Sequence, residues 1–269
     1  LTRFDRVTPT EAQSTYRRFW SEVGGTFPDL WGAASTDFYR TNEQRLLSEQ
    51  LGPLDGQRIL KTDLWDEARN TRILLWAAEK GAEIHGVDIS MPTVHLSRQR
   101  AGEHARHFIV GDCRQLPYED ASFDAVYSMG TIEHFDESAD AVREMWRVLK
   151  PTGRAIVGVP NRWDPFLRPL LVSALSLAGL YGYGFEKSYS RRALHTMMVS
   201  SGFAVVAETG ILFIPGWVRM LDLACHAWMP ALCPLTAMMV RPFAFLDARF
   251  PALRRHGYLI VAIGEKRRS

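Results

Sequence analysis

The sequence predicts an α/β fold: a mostly parallel sheet with helices on both faces, preceded by N-terminal helices and carrying an apolar helical insertion before its last strand. Three observations predict it. Between residues 57 and 161, short apolar runs alternate with runs of helical period, a pattern that builds parallel strands joined by crossover helices. Two successive strand-like runs end in an acid, Asp88 and Asp112, at the strand ends where ligands of open α/β sheets gather. Outside that unit the character changes to helical stretches, including long uncharged segments interrupted by proline.

Residues from about Thr8 to Leu51 read as two helices. Thr8 or Thr10 is placed to cap the first, with Glu11 in its first turn. Tyr16, Phe19, Trp20 and Val23 form its apolar stripe. The second starts near Ser35 or Thr41, and "PLDG" (Pro53 to Gly56) is a turn. "RIL" is a short strand, and "RILLWAAEKGA" a helix closed by Gly81. "EIHGVDIS", "HFIVGDC", "FDAVYSM" and "PTGRAIVGVPN" supply further strands. "MPTVHLSRQRAGEH", with proline in its first turn, and "SADAVREMWRVLK" supply the helices between them. After Asn161 come an apolar segment, a helix capped at Ser188 or Ser190 and closed by Gly202, the strand "FAVVAETG", the proline-broken insertion and a final strand "GYLIVAIGEK". The whole of 1–269 reads as one unit: a helical cap over 1–52, a ligand-binding core over 57–161, and substrate-side helices with the last two strands over 162–269.

Composition narrows the function. A chain of 269 residues, 46% hydrophobic and 23% charged, has a real core. A formal net charge of +2 without a concentrated basic face argues against a nucleic-acid partner. Cys113, Cys225 and Cys233 have no metal-ligand spacing and no disulfide framework. With the polar opening "LTRFDRVTPTEAQ", which lacks a secretion signal, they lead to an expected cytoplasmic location. Pro169 to Phe185 and Leu223 to Val240 carry no charged side chain, counting His226 as neutral. Glycines in the first and Pro230 and Pro234 in the second argue for buried or membrane-surface helices rather than spans.

A carboxylate at Asp88, one strand–helix–strand unit after the first loop, suits the two hydroxyls of a ribose. The plainer alternative is that Asp88 or Ser90 caps the next helix. Asp112, with the backbone of Cys113, suits the edge of an adenine, or is simply a turn residue. "EIHGVDIS", "VGDCRQLPYEDASFDAVYSMGTIEHF" and "AVREMWRVLKPTGRAIVGVPN" together resemble the class I S-adenosylmethionine-dependent methyltransferases. The likeness covers roughly residues 57–161 and resumes at "YSRRALHTMMVSSGF" and the final strand. It implies a Rossmann-like seven-stranded sheet whose last strand runs antiparallel. It also implies Asp88 at the ribose, Asp112 and Cys113 at the adenine, and Ser128-Met129-Gly130 at the methionine portion.

The departure from that family is "KTDLWDEARNT", Lys61 to Thr71, where its first loop is rich in glycine and this one has none. The expectation is a longer loop that keeps the cofactor through acids. Asp63, Asp66 and Glu67 would accept from the α-ammonium, Asp63 first and Glu67 second among them, and Asn70 and Thr71 would cap the following helix. The expected cofactor set is Thr62, Asp63, Glu67, Asp88, Ile89, Asp112, Cys113, Ser128 and Met129. In "GTIEHF", Glu133 and His134 are the candidate catalytic residues, with His134 suited to accept a proton near neutrality.

Tyr16 and Trp20 are expected to cover the site. Trp217 and Met239 are expected to wall an apolar pocket, in the region from Ile214 to Phe250, which is rich in large adaptable side chains and is expected to pack over the carboxyl edge of the sheet with Phe166 to Phe185. The acceptor is then a small lipophilic molecule such as a polyketide, an isoprenoid or a lipid-like compound. The apolar helices are alternatively a homodimer interface or a peripheral membrane contact. The competing reading is a non-catalytic member of the fold that binds a partner through those helices, or an enzyme using the cofactor for other chemistry.

Overall fold

The computed structural model describes residues 9–267, with side chains from Thr15 onward. The cap expected at Thr8 or Thr10, with Glu11, lies outside the described residues or side chains. Two helices, α1 (Pro9–Thr26) and α2 (Ala34–Leu51), lead into β1 (Arg58–Lys61). Then follow α3 (Trp65–Arg69), α4 (Ile73–Glu79), β2 (Glu83–Asp88), α5 (Met91–Ala101), β3 (Phe108–Val110), β4 (Phe123–Met129), α6 (Ser138–Val148) and β5 (Leu149–Pro160). The last third contains α7 (Arg168–Leu177), α8 (Arg191–Ser200), β6 (Ala204–Ile211), α9 (Gly216–Trp228), α10 (Cys233–Arg249) and β7 (Leu259–Glu265).

The seven strands form one sheet in the order β3-β2-β1-β4-β5-β7-β6. All neighbours are parallel except β7, which runs antiparallel to both β5 and β6. Strand order reverses at β1, which pairs with β2 on one side and β4 on the other. The loops leaving β1 and β4 therefore part, and a crevice opens at their carboxyl ends.

Both faces of the sheet are covered, because successive residues of the central strands are apolar on alternate sides. Ile59 packs with Leu74, Ala77 and Val94, whereas Leu60 packs with Val126, Val142 and Met145 on the opposite face. A third cluster joins Tyr127, Ile156 and Ile263 to Leu46 and Leu47 of α2, Val218 of α9 and Val240 of α10. Helix ends follow the sequence signals closely. The Ser90 side chain caps α5 by accepting from the Thr93 N–H, and Ser190 caps α8 by accepting from Ala193. Gly81 (φ +88°) and Gly202 (φ +101°) take left-handed conformations just past α4 and α8.

Candidate active site

At the crevice the carboxyl ends of β1 to β4 border a cleft with about 750 Å³ of empty space, its mouth included. Its floor is Thr62, Asp63, Asp88, Ile89, Gly111, Asp112, Cys113 and Met129. Its roof is aromatic: Tyr16 and Trp20 from α1, Trp65 from α3, Phe135, and Tyr183 from the loop after α7. Tyr16 meets Trp20 and Phe135 edge-on, and Trp65 meets Tyr183 edge-on at 5.8 Å. Met129 reaches this floor because residue 158 of the neighbouring β5 is glycine. A Cβ there would lie 1.9 Å from the Met129 sulfur.

The glycine-free loop folds around a buried lysine. Lys61, with a fully buried side chain, bonds the Asp63 carboxylate at 2.7 Å and the Asp66 carboxylate at 3.0 Å. These acids draw the lysine's pKa upward against the effect of burial. Asp63 also accepts from the Trp65 N–H and from Thr131 Oγ1, at 2.7 Å, so it ties the β1 loop to the β4 loop. One lysine among Asp63 and Asp66 leaves this edge of the cleft with net negative charge, suited to a cationic ligand. The short helix α3 turns Asp66 toward the cleft and Glu67 away from it. Glu67 is fully buried, and its carboxylate accepts from the Leu74 N–H at 3.0 Å, at the start of α4. Burial pushes its carboxyl up to about 7.

Asp88 stands at the centre of the floor. One carboxylate oxygen accepts from the Leu64 N–H and the other from the Ser90 N–H, each at 2.8 Å. A carboxylate oxygen accepts more than one bond, so both stay available to a pair of ligand hydroxyls. Burial pushes this carboxyl up to about 7, the backbone bonds opposing it. Leu64 reaches this position over Gly86 of β2, where a Cβ would lie 2.3 Å from the leucine side chain. Asp112 is held differently: Arg114 grips both its oxygens, the shortest contact being 2.7 Å, and also bonds Glu137. The Arg114 guanidinium lies over the Tyr16 and Phe135 rings, 5.4 and 5.0 Å from their centroids.

His134 lines the cleft edge-on to Trp20, with centroids 4.9 Å apart. Its Nδ1 lies 2.7 Å from the Phe185 carbonyl oxygen. A carbonyl only accepts, so Nδ1 carries the proton and Nε2 keeps a lone pair. Burial lowers the pKa of the ring, which favours the neutral form at physiological pH.

Of the residues expected from sequence, the structure brings together Tyr16, Trp20, Thr62, Asp63, Asp88, Ile89, Asp112, Cys113, Met129 and His134. It does not bring the other five to the cleft. Glu67 sits at the head of α4, a place expected for Asn70; Asn70 instead donates to Asp66 and accepts from Thr36. The Ser128 side chain is fully buried in the sheet without a hydrogen-bond partner. Glu133 is buried beneath the loop, its carboxyl held well above the usual range by burial and by Glu186. Trp217 is half exposed on α9, and Met239 packs with the α2–α10 cluster. The region from Ile214 to Phe250 therefore does not roof the cleft. It packs on α2, where the Ser35 N–H donates to Asp222 and Arg45 pairs with Asp247, while Thr236 Oγ1 of α10 also donates to Asp222 of α9. Asp66, expected among the acids of the loop, also lines the cleft, whereas sequence reasoning missed Trp65, Arg114, Thr131 and, as an individual residue, Tyr183. Only Tyr183, in the aromatic and glycine run "YGYGF", carried a local signal.

A family model described as a methyltransferase domain matches residues 68–157. The chain is 30% identical over 218 residues to the demethylmenaquinone methyltransferase of Clavibacter sepedonicus, covering 75% of this chain and 82% of that one. It is 28% identical over 177 residues to the chloroplastic tocopherol O-methyltransferase of Arabidopsis thaliana, covering 56% of this chain and 51% of that one. Among other curated relatives the match spans as little as 32% of the relative's length. Among solved structures, the 1,6-didemethyltoxoflavin-N1-methyltransferase of Burkholderia thailandensis, with its acceptor and S-adenosylhomocysteine bound, aligns with a TM-score of 0.61 at 14% identity. That alignment covers 99% of this chain and 94% of that one, and the likeness is one of fold.

Proposed function

Since the chain belongs to the class I S-adenosylmethionine-dependent methyltransferases, we propose that it methylates a small lipophilic acceptor, a ring compound of quinone or phenol type first among them. The observation that carries this reading is the division of the cleft: acids and hydroxyls on its floor, five aromatic side chains over it. The relatives act, by their names, on demethylmenaquinone and on tocopherol compounds, which supports an apolar ring as the acceptor here.

The floor fits the cofactor. Asp88 offers two carboxylate oxygens to the ribose hydroxyls, and the Thr62 hydroxyl beside it is buried without a hydrogen-bond partner. Asp63 and Asp66 would face the cationic methionine end and Cys113 and Ile89 the adenine, with Asp112 held by Arg114. Bound S-adenosylmethionine supplies an electrophilic methyl group on a good, neutral leaving group. What remains for the protein is alignment and exclusion of water. Tyr16, Trp20 and Tyr183 do both, by closing an apolar roof over the floor. For an acceptor whose hydroxyl must lose its proton, the free Nε2 of His134 is the group placed to take it.

The test is incubation with methyl-labelled S-adenosylmethionine and a panel of acceptors: short-chain demethylmenaquinone, prenylated phenols and polar catechols. Label in the first two classes is expected. Label confined to the polar acceptors would overturn the lipophilic reading.

A further inference from the structure

Fifteen of the twenty large hydrophobic side chains exposed among the described residues fall in two stretches, 163–185 and 217–250. Leu177 is 90% exposed, and Trp163, Leu180, Trp228, Met238 and Phe245 are each more than 60% exposed. They sit on and around three helices, of which α9 packs against both α7 and α10. Contiguous apolar surface of this kind marks an interaction site in a protein otherwise able to bury its core.

We infer that α7, α9 and α10 form a docking face for the surface of an anionic phospholipid bilayer. Charge selects this occupant. Across residues 162–185 and 214–256 the acids are Asp164, Asp222 and Asp247, and all three are buried and hydrogen-bonded within the protein. The arginines exposed there, Arg162, Arg241, Arg249 and Arg255, have no exposed acid among them. Elsewhere the surface is mixed, with Glu119, Asp120, Asp136 and Glu137 exposed. Two of these arginines lie beside an exposed aromatic ring, Arg162 over Trp163 and Arg249 over Phe250, at 5.9 and 5.3 Å from the centroids. A cation next to an aromatic ring suits the boundary between headgroups and acyl chains. A second copy of this chain is a poorer occupant, because a two-fold contact would set the arginines against one another with no acid to pair them.

The helices lie on the bilayer and do not cross it. Pro230–Arg249 is long and apolar enough to span, yet its inner face is tied to the protein body. Thr236 bonds Asp222 at 2.6 Å, and Asp247 pairs with Arg45 at 2.9 Å. Leu235, Met238, Arg241, Pro242, Phe245 and Arg249 make the outward stripe of α10 at helical spacing. The loop after α7 joins this face to the cleft. Tyr183 lines the cleft and the Phe185 carbonyl holds His134, while Leu180 and the Phe185 ring face outward. If the lipophilic-acceptor reading holds, this loop is where an acceptor dissolved in the bilayer enters.

The test is cosedimentation of the full chain, without cofactor or acceptor, with vesicles of phosphatidylcholine alone or mixed with phosphatidylglycerol. Binding to the anionic vesicles and weakening by salt are expected. The pair Arg241→Gln and Arg249→Gln should lower partitioning by on the order of tenfold or more, and Trp228→Ser with Phe245→Ser by at least as much. The off-face pair Arg106→Gln and Arg143→Gln should leave it unchanged, with thermal melting confirming that each variant is folded. Failure of the folded wild type to bind anionic vesicles would overturn the inference. So would equal loss in the off-face pair, or a solution dimer that Phe245→Ser dissociates. The vesicles hold no acceptor, so this result and the methyl-transfer assay fail independently.

Discussion

Asp88 carries the chemistry of the floor with very little freedom. Its two oxygens already hold the N–H groups of Leu64 and Ser90, so the carboxylate is fixed in orientation. Burial raises its pKa from an ordinary 3.8 to about 7, and Glu67 rises likewise from 4.5 to about 7. The folded state then keeps protons that the unfolded chain has released. Stability of the ligand-free protein should therefore fall as pH rises from about 4 to about 7. Urea unfolding at pH 5 and pH 8 measures this, and Asp88→Asn should reduce the difference between the two; an unchanged difference would remove Asp88 from that account. At His134, the proton fixed on Nδ1 by the Phe185 carbonyl leaves Nε2 as the reactive nitrogen. For a hydroxyl acceptor, His134→Gln should lower kcat by roughly 10²-fold or more and abolish the acid limb of the pH–rate profile. Affinity for S-adenosylhomocysteine should stay nearly unchanged. A loss of kcat with the pH profile intact would make His134 a packing residue.

At the scale of the element, the β1–α4 connection is built without a glycine. Loops rich in glycine approach a ligand with bare backbone. Here a buried lysine, two aspartates and a short helix occupy that place, and the glycine that makes room is Gly86 on the neighbouring strand. The sequence offers the acids of "TDLWDEARN" as candidates to stand in for glycines. Their division of labour was not legible, because α3 is only five residues long and its period cannot be read from sequence. That helix turns Asp66 toward the cleft and sends Glu67 to the head of α4. The fully buried Lys61 pairs with two acids at once, Asp63 and Asp66, so Lys61→Met should cost about 3–5 kcal/mol of stability, as breaking a buried ion pair does. Chemical denaturation measures it. A cost below about 1 kcal/mol, the range of a surface pair, would show that the cluster is not what holds the loop.

For the whole molecule, the topology was legible because alternating strand and helix patterns, together with acids at strand ends, record how a parallel sheet buries both faces. The cleft floor was legible for the same reason: Asp88, Asp112 and Met129 all terminate strands or follow them directly. The roof was only half legible. Tyr16 and Trp20 lie on a clear apolar stripe, but composition could not tell whether α9 and α10 cover a ligand or face outward. Long-range bonds decide that, above all Asp222 with Ser35 and Asp247 with Arg45. These dock both helices on α2, beside the cleft rather than over it. The central claim is that a glycine-free loop and Asp88 together still form a cofactor site. Isothermal titration of S-adenosylhomocysteine into the wild type, Asp88→Ala and Trp217→Ala tests it most directly. Saturable one-site binding to the wild type is expected, weaker by about 1.5–3 kcal/mol in Asp88→Ala and unchanged in Trp217→Ala. A folded wild type that does not bind, or an Asp88→Ala variant that binds equally well, would contradict it.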